Sequence, residues 1–124
     1  MYENENSILM EKSQAFALRV ATMAEYLTDN RNKIFRSIYE QVLRSGTSVM
    51  ANISESQFAH SPADFISKLQ IALKEASETR GWLRLLHSKN IITDKEYDSM
   101  LADCSELVAI LVASINTAKR NNNL

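Results

Sequence analysis

The side chains with the greatest capacity for chemistry are concentrated in one polar stretch, residues 44–55, which reads RSGTSVMANISE. Its arginine could bind an anion, and its three serines could act as nucleophiles. A nucleophilic serine needs a base, most often a histidine, within hydrogen-bonding reach. The chain has two histidines, His60 and His87, and we expect neither at the height of these serines. Nucleophilic catalysis is therefore not expected here.

Other kinds of reactive site have equally little support in the sequence. Asn52, Glu55 and Glu75 could line a pocket between helices, which is the arrangement that an enzyme would need. No histidine, cysteine or second carboxylate cluster accompanies them at metal-ligand spacing, and the Glu-x-x-His pattern of di-iron bundles is absent. A glycine-rich phosphate loop is also absent. The sequence predicts a protein that is not an enzyme and has no cofactor and no metal site.

Helices must position these side chains, because the chain has few residues that favour turns or strands. Its 124 residues are 45% hydrophobic and include two glycines and one proline, which fits one helical domain over residues 1–124. Apolar residues recur at alternating steps of three and four, the repeat of left-handed bundle packing. The predicted helices span about 11–28, 33–58, 62–88 and 93–119. Residues 1–6 and 121–124 are too polar to pack.

Two of these helices have clear start signals. Ser61 and Pro62, with Asp64 two positions later, read as an N-cap, a proline at the first helical position and an acidic first turn. Thr93 and Glu96 form a capping box. The connections between the helices are short, so each helix must run antiparallel to the one before it. The predicted fold is all-α, an antiparallel up-down-up-down four-helix bundle.

This topology sets the residues of helix two beside those of helix three. Gly46 lies at the level of Ala76, and we expect this pair of small residues to let the two helices approach closely. Arg44 lies at the level of Glu78 and could bridge Glu75 or Glu78. An arginine held by carboxylates at a helix contact is more often structural than functional.

Polar residues near the helix contacts need hydrogen-bond partners if they are buried. We expect these residues to form a hydrogen-bonded network that fixes the register of the helices. The set consists of Ser45, Asn52, Glu55 and Thr79.

The fourth predicted helix is apolar nearly all the way round over residues 107–115, which read LVAILVASI. One bundle core cannot cover every side of such a helix. A second apolar face on a surface helix favours a contact between subunits, although a broad core face is the alternative. We expect the chain to form an oligomer with itself.

The charges balance overall but cluster locally. Fourteen Lys and Arg against fifteen Asp and Glu give a net charge of −1, which creates no global field that would attract nucleic acid. A group of basic residues should meet at the bundle end that holds the first and third connections, together with several acidic residues. Either a solvated mixed-charge end or a weak phosphate-contacting surface is possible. The candidate nucleic-acid contacts are Arg31, Lys33, Arg36, Arg84 and Lys89.

Two further features bear on the environment of the protein. The first six residues are acidic and polar, unlike a secretory signal, and no run approaches 18 apolar residues. We therefore expect a cytoplasmic protein without a membrane partner. Cys104, the single cysteine, lies between apolar neighbours at helical spacing and is interpreted as a buried structural thiol.

Three motifs in the same order and spacing, residues 44–55, 64–69 and 72–83, resemble a bacterial four-helix bundle family. That family is named for proteins encoded in 23S ribosomal RNA intervening sequences, and the resemblance runs from about residue 16 to residue 119. It implies a cytosolic bundle that assembles as a homopentamer. No catalytic residues carry over from it. The motif positions that match are Arg44, Ser45, Asn52, Glu55, Glu75, Glu78 and Trp82.

The same resemblance extends to an accessory protein of diversity-generating retroelements, which looks like a nucleic-acid-binding partner of a reverse transcriptase. This chain departs from those strongly basic relatives, since its isoelectric point is near 6.1. We accordingly predict a non-catalytic, homo-oligomeric assembly or interaction module, pentameric by resemblance. The alternative is binding of RNA or DNA through the basic bundle end in the oligomer.

Overall fold

A computed structural model describes the backbone of residues 2–124 and the side chains of residues 6–124. Within that part the chain forms four α-helices, one short 3-10 helix and no strand, which confirms the all-α prediction. The elements are α1 (Tyr2–Asn30), the 3-10 helix (Lys33–Phe35), α2 (Arg36–Ser56), α3 (Pro62–Ser88) and α4 (Asp94–Asn121).

The four helices close into a bundle. Each helix packs against its neighbour in the chain, and α1 also packs against α4. Because the connections are short, successive helices alternate in direction, as in an up-down-up-down bundle. In this arrangement α1 and α3 occupy opposite corners and run in the same direction, and so do α2 and α4.

The first helix begins earlier than its predicted start near residue 11. Its buried stripe extends through Leu9 and Ser13 to Phe16 and Val20, at steps of four, three and four. Ser13 occupies a core position of this stripe although it is polar. A pattern based on apolar residues alone therefore does not extend to the first turns of the helix. We also expected residues 1–6 not to pack. Most of that expectation concerns Met1 and the side chains of residues 2–5, which lie outside the described part.

The second predicted helix, 33–58, is shorter and divided. Asn32 accepts a hydrogen bond from the backbone nitrogen of Ile34 at 3.1 Å, which caps the 3-10 helix. The Tyr39 hydroxyl donates to the carbonyl oxygen of Asn32 at 2.8 Å and ties this turn to α2. The regular α-helix therefore starts only at Arg36, and it ends at Ser56.

The starts of α3 and α4 follow from their capping residues. Ser61 Oγ accepts from the backbone nitrogen of Asp64 at 3.0 Å. At α4, Thr93 Oγ1 accepts from the nitrogen of Glu96 at 3.1 Å, while a Glu96 carboxylate oxygen accepts from the nitrogen of Thr93 at 2.8 Å. Each bond satisfies a donor that the first helical turn leaves free. Between the two helices Asn90 adopts a left-handed conformation with φ of 59°.

Helix α4 contributes to the core and keeps a second apolar side. Leu107, Leu111 and Ile115 are buried, whereas Val112 is exposed. By length and composition α4 could cross a membrane, a test that core helices of soluble proteins also pass, and 33% of its most apolar 18-residue window is buried in the bundle. On that side Ala109 and Ala113 are exposed with Val112, while Val108 and Ile110 are partly buried against the core.

Candidate functional site

The residues of the polar stretch meet α3 in a cluster around Arg44. One guanidinium nitrogen of Arg44 donates to Glu75 at 3.2 Å, and the other pairs closely with Glu78. Its Nε donates to Gln41 on the same helix at 2.9 Å. The indole nitrogen of Trp82 donates to the same Glu78 carboxylate at 2.9 Å. Arg44 thus bridges both candidate carboxylates and links α2 to α3.

The electrostatics of this cluster stabilise ionised Glu78. The hydrogen bond from the Trp82 indole, and after it the bond from Arg44, lower the pKa of Glu78 against the opposing effect of burial. The bond to Glu78 in turn raises the pKa of Arg44. One cation facing two carboxylates leaves the cluster slightly anionic, with no nucleophile held against a base. The arrangement is suited to holding two helices in register.

Beneath this cluster lies a buried hydroxyl pair. Ser45 and Thr79 are fully buried, and their hydroxyl oxygens lie 2.8 Å apart across the contact between α2 and α3. Thr79 Oγ1 also lies 2.8 Å from the carbonyl oxygen of Glu75. The pair satisfies both hydroxyls inside the core, as buried polar groups require.

The close approach at Gly46 is not the one that the sequence suggested. A Cβ placed on Gly46 would have two γ carbons of Val20, at 2.7 and 2.8 Å, as its nearest neighbours. Val20 belongs to α1, so the missing side chain at Gly46 makes room for α1. The prediction that Gly46 mainly allows close approach to Ala76 of α3 is therefore wrong. The error arose because Gly46 lies on a side of α2 that turns toward α1, and heptad stepping does not say which neighbour a small residue faces.

Asn52, Glu55 and Glu75 do not form the pocket that an enzyme would need. Asn52 is half-buried and donates to the carbonyl and hydroxyl oxygens of Ser48 at 2.9 and 3.1 Å. Exposed Glu55 pairs with Lys68 at 3.4 Å. Glu75 is held at Arg44. Each of the three side chains has a different partner, so the network that we expected around Asn52 and Glu55 is local.

Arg31 lies at the bundle end that holds the first and third connections, and contacts within the protomer fix its position. Its guanidinium pairs with Glu96 at 3.1 Å, donates to the carbonyl oxygen of Ile91 and lies over the Tyr26 ring at 5.1 Å from its centroid. Interaction with Tyr26, then with Glu96, raises the pKa of Arg31. For Glu96, burial alone would raise the pKa, but hydrogen bonds from Thr93 and Arg31 outweigh it and lower it.

The other four candidate cations of this end, unlike Arg31, are not held by acidic side chains of residues 6–124. Within the described part of the chain they are exposed and form no ion pair. They are Lys33, Arg36, Arg84 and Lys89. The contact from Arg31 to Ile91 and Glu96 shows that the first and third connections lie together, so these four cations share one end of the bundle.

The structure adds two features that the sequence analysis missed. Ion pairs join α1 to α4: Lys12 lies 2.6 Å from Glu106, and Arg19 pairs with Asp103. Between the same helices lies an apolar groove of about 390 Å³ that includes Leu18, Thr22 and Met100, among other residues. These pairs depend on the register of α1 against α4, which no single connection between helices determines.

No group of three or more histidine, cysteine, aspartate or glutamate side chains is placed to hold a metal ion among residues 6–124. Cys104 is buried, and its thiol donates to the carbonyl oxygen of Ala76 at 3.3 Å. Burial raises the pKa of Cys104 to about 11. Arg44, Ser45, Asn52 and Cys104 therefore each form structural contacts.

Comparisons with known proteins agree with this architecture. A family model described as 23S rRNA-intervening sequence protein matches residues 5–113. A crystal structure from Bacteroides thetaiotaomicron, described as a protein with unknown function from the S23 ribosomal protein family, is similar with a TM-score of 0.84 and 41% sequence identity. The match covers 90% of this chain and 98% of that chain. No curated protein matches the sequence significantly.

Proposed function

Because the chain belongs to the family of 23S rRNA-intervening sequence proteins, we propose that it acts as a non-catalytic, homo-oligomeric interaction module. The observation that carries this proposal is the apolar surface that the protomer leaves uncovered. Leu18 is 70% exposed on α1, and on α4 Val112 is 41% exposed, with Ala109 and Ala113 beside it also exposed. Exposed large apolar side chains on surface helices are typical of subunit contacts.

The non-catalytic part of the proposal rests on how the polar stretch is used. Arg44 is bound by Glu75 and Glu78, and the Ser45 hydroxyl is paired with Thr79 in the core. Both groups join α2 to α3, Ser45 inside the core and Arg44 at the exposed edge of the contact. The family resemblance supports a pentamer, so we propose five copies in the assembly.

Light scattering coupled to gel filtration tests this proposal directly. We expect a mass close to five times the 14.0 kDa of one chain, kept on dilution into the low micromolar range. Hydrophobic contacts should also keep the mass at high salt, because salt screens ion pairs and not apolar burial. A mass of one chain at every concentration would refute the proposal.

A second candidate function is binding of RNA or DNA through the shared end of Lys33, Arg36, Arg84 and Lys89. The observation that favours it is that these four cations have no partner in the described part of the protomer. An oligomer would repeat them around its axis, and repetition multiplies weak contacts. Binding through phosphates should weaken steeply as salt rises.

Two measurements test the second candidate. The ratio of absorbance at 260 and 280 nm of freshly purified protein should show nucleic acid that is released in high salt. A mobility-shift assay at about 50 mM salt should lose its signal when Arg36 and Lys89 are changed to Glu. The control is Arg120→Glu at the opposite end of the bundle, which should bind as well as the parent. No shift at low salt, or an equal loss in the control, would eliminate this function.

A further inference from the structure

The outward side of α3 and the outward side of α1 match each other in shape and charge. We propose that the face formed by α1 and α4 in one copy of the chain binds the outward face of α3 in a second copy, with α1 and α3 parallel. This inference rests on the proposed homo-oligomer and adds to it the surface and the register of the contact. The residues placed at this contact are all exposed in the protomer.

Two apolar hollows lie along the contact between α1 and α4. One, of about 310 Å³, is lined by Ile8 together with residues of α4, and the other is the groove of about 390 Å³ around Thr22. Ile8 and Thr22 are two heptads apart, about 21 Å along a helix. On α3 the exposed large apolar side chains are Ile71 at 39% and Leu85 at 38%. They are also two heptads apart, so both can enter the hollows at once.

The same alignment also leaves room for a large exposed side chain in the middle of the contact. With Ile71 beside Ile8 and Leu85 beside Thr22, the protruding Leu18 lies opposite Gly81. A Cβ placed on Gly81 would meet nothing within 4 Å, so the surface there is open. A large side chain on one helix thus faces the position on the other helix that has no side chain.

Charge also favours this alignment. Lys74 falls at the level of Glu11, and Arg84 falls one turn from Glu25. Within the described part of the chain all four residues are exposed and none forms an ion pair, so each can pair across the contact. The antiparallel alignment that would fill the same hollows sets Lys74 at the level of Arg19, and like charges in contact are unfavourable.

Symmetry is consistent with a parallel contact. Helices α1 and α3 run in the same direction within one bundle, and a rotation about an axis parallel to the helices keeps that direction in every copy. The two faces belong to different sides of the protomer, so the contact is head-to-tail. Head-to-tail contacts related by a rotation that closes produce a ring.

Charge reversal tests the register, with light scattering and sedimentation as readouts. Glu11→Lys and Lys74→Glu should each raise the apparent dissociation constant of the oligomer about tenfold or more. The double variant, Glu11→Lys with Lys74→Glu, should restore it. Leu18→Glu should yield single chains of 14.0 kDa. The control is Phe58→Glu at the connection between α2 and α3, where Phe58 is 84% exposed, and it should leave the oligomer unchanged.

The outcomes distinguish failure of the proposed oligomer from failure of the proposed interface. If the unmodified chain is monomeric, the proposed oligomer and this interface both fall. If the unmodified chain is oligomeric and Leu18→Glu leaves it intact, the oligomer stands and this interface is wrong. If Leu18→Glu dissociates it but the double charge reversal fails to restore the single reversals, the parallel register is wrong. Helical circular dichroism should be unchanged in all variants, because every substituted side chain lies at the surface.

Discussion

Gly46 of α2 faces Val20 of α1 so closely that a Cβ on Gly46 would lie 2.7 Å from Val20 Cγ1. Val20 is fully buried and β-branched, so it cannot rotate away at low cost. The missing side chain at Gly46 therefore sets the distance between α1 and α2. Glycine in a helix costs about 1 kcal/mol relative to alanine, and this close packing explains why the chain retains it.

The Gly46→Ala variant should be less stable than the parent by about 1 kcal/mol in urea unfolding. Overpacking a core costs about 1–3 kcal/mol, which exceeds the gain in helix propensity. In a Val20→Ala background the same substitution should instead stabilise, because the clash is gone. If Gly46→Ala has the same effect in both backgrounds, Val20 is not the reason for the glycine.

The buried hydroxyls of Ser45 and Thr79 should be energetically coupled. Ser45→Ala and Thr79→Val should each cost about 1–2 kcal/mol of unfolding free energy, since each leaves the other hydroxyl with fewer partners. The double variant should cost less than the sum of the single ones. Chemical denaturation of all four proteins measures the coupling, and strictly additive costs would contradict it.

The pH dependence of stability should report the hydrogen bond from Trp82 to Glu78. Since the folded state lowers the pKa of Glu78, ionised Glu78 supports folding above its usual pKa, and this support is lost as the pH falls through the lowered value. Glu78→Gln and Trp82→Phe should both flatten the decline of the urea midpoint between about pH 5 and pH 3. A decline as steep as in the parent would show that Glu78 does not contribute.

The thiol of Cys104 should be inert in the folded protein. With its pKa raised to about 11 by burial, the reactive thiolate is on the order of one part in a thousand at pH 8. A coloured disulfide reagent should therefore label the native protein only slowly and the urea-unfolded protein at once. Because the chain has one cysteine, rapid stoichiometric labelling of the native state would contradict the buried position directly.

The sequence predicted best those parts of the fold that depend on local chemistry. Ser61 and Pro62 start α3, and Thr93 and Glu96 start α4, because each cap satisfies donors within a few residues of itself. The start of α1 was predicted too late. Its core position at Ser13 depends on contacts with other helices, and hydrophobicity alone does not reveal a buried serine.

Side-chain partners across helices were predictable only where one hairpin fixed the register. The turn between α2 and α3 is short, so Arg44 could be placed near Glu75 and Glu78. The ion pair between Lys12 and Glu106 joins the first and last helices, whose register no single turn determines. The neighbour of Gly46 depended on the rotation of α2 about its own axis, which tertiary packing sets.

Ser114 and Ser56 provide a matched pair of buried serines with opposite expected effects. Ser114 Oγ is buried without a hydrogen-bond partner among the described residues, whereas Ser56 Oγ donates to the carbonyl oxygen of Ile53 at 2.6 Å. An unsatisfied buried hydroxyl costs about 1–3 kcal/mol, and a satisfied one contributes about 1 kcal/mol. Ser114→Ala should therefore raise the melting temperature and Ser56→Ala should lower it. A lower melting temperature for Ser114→Ala, like that expected for Ser56→Ala, would show that Ser114 has a partner, such as an internal water.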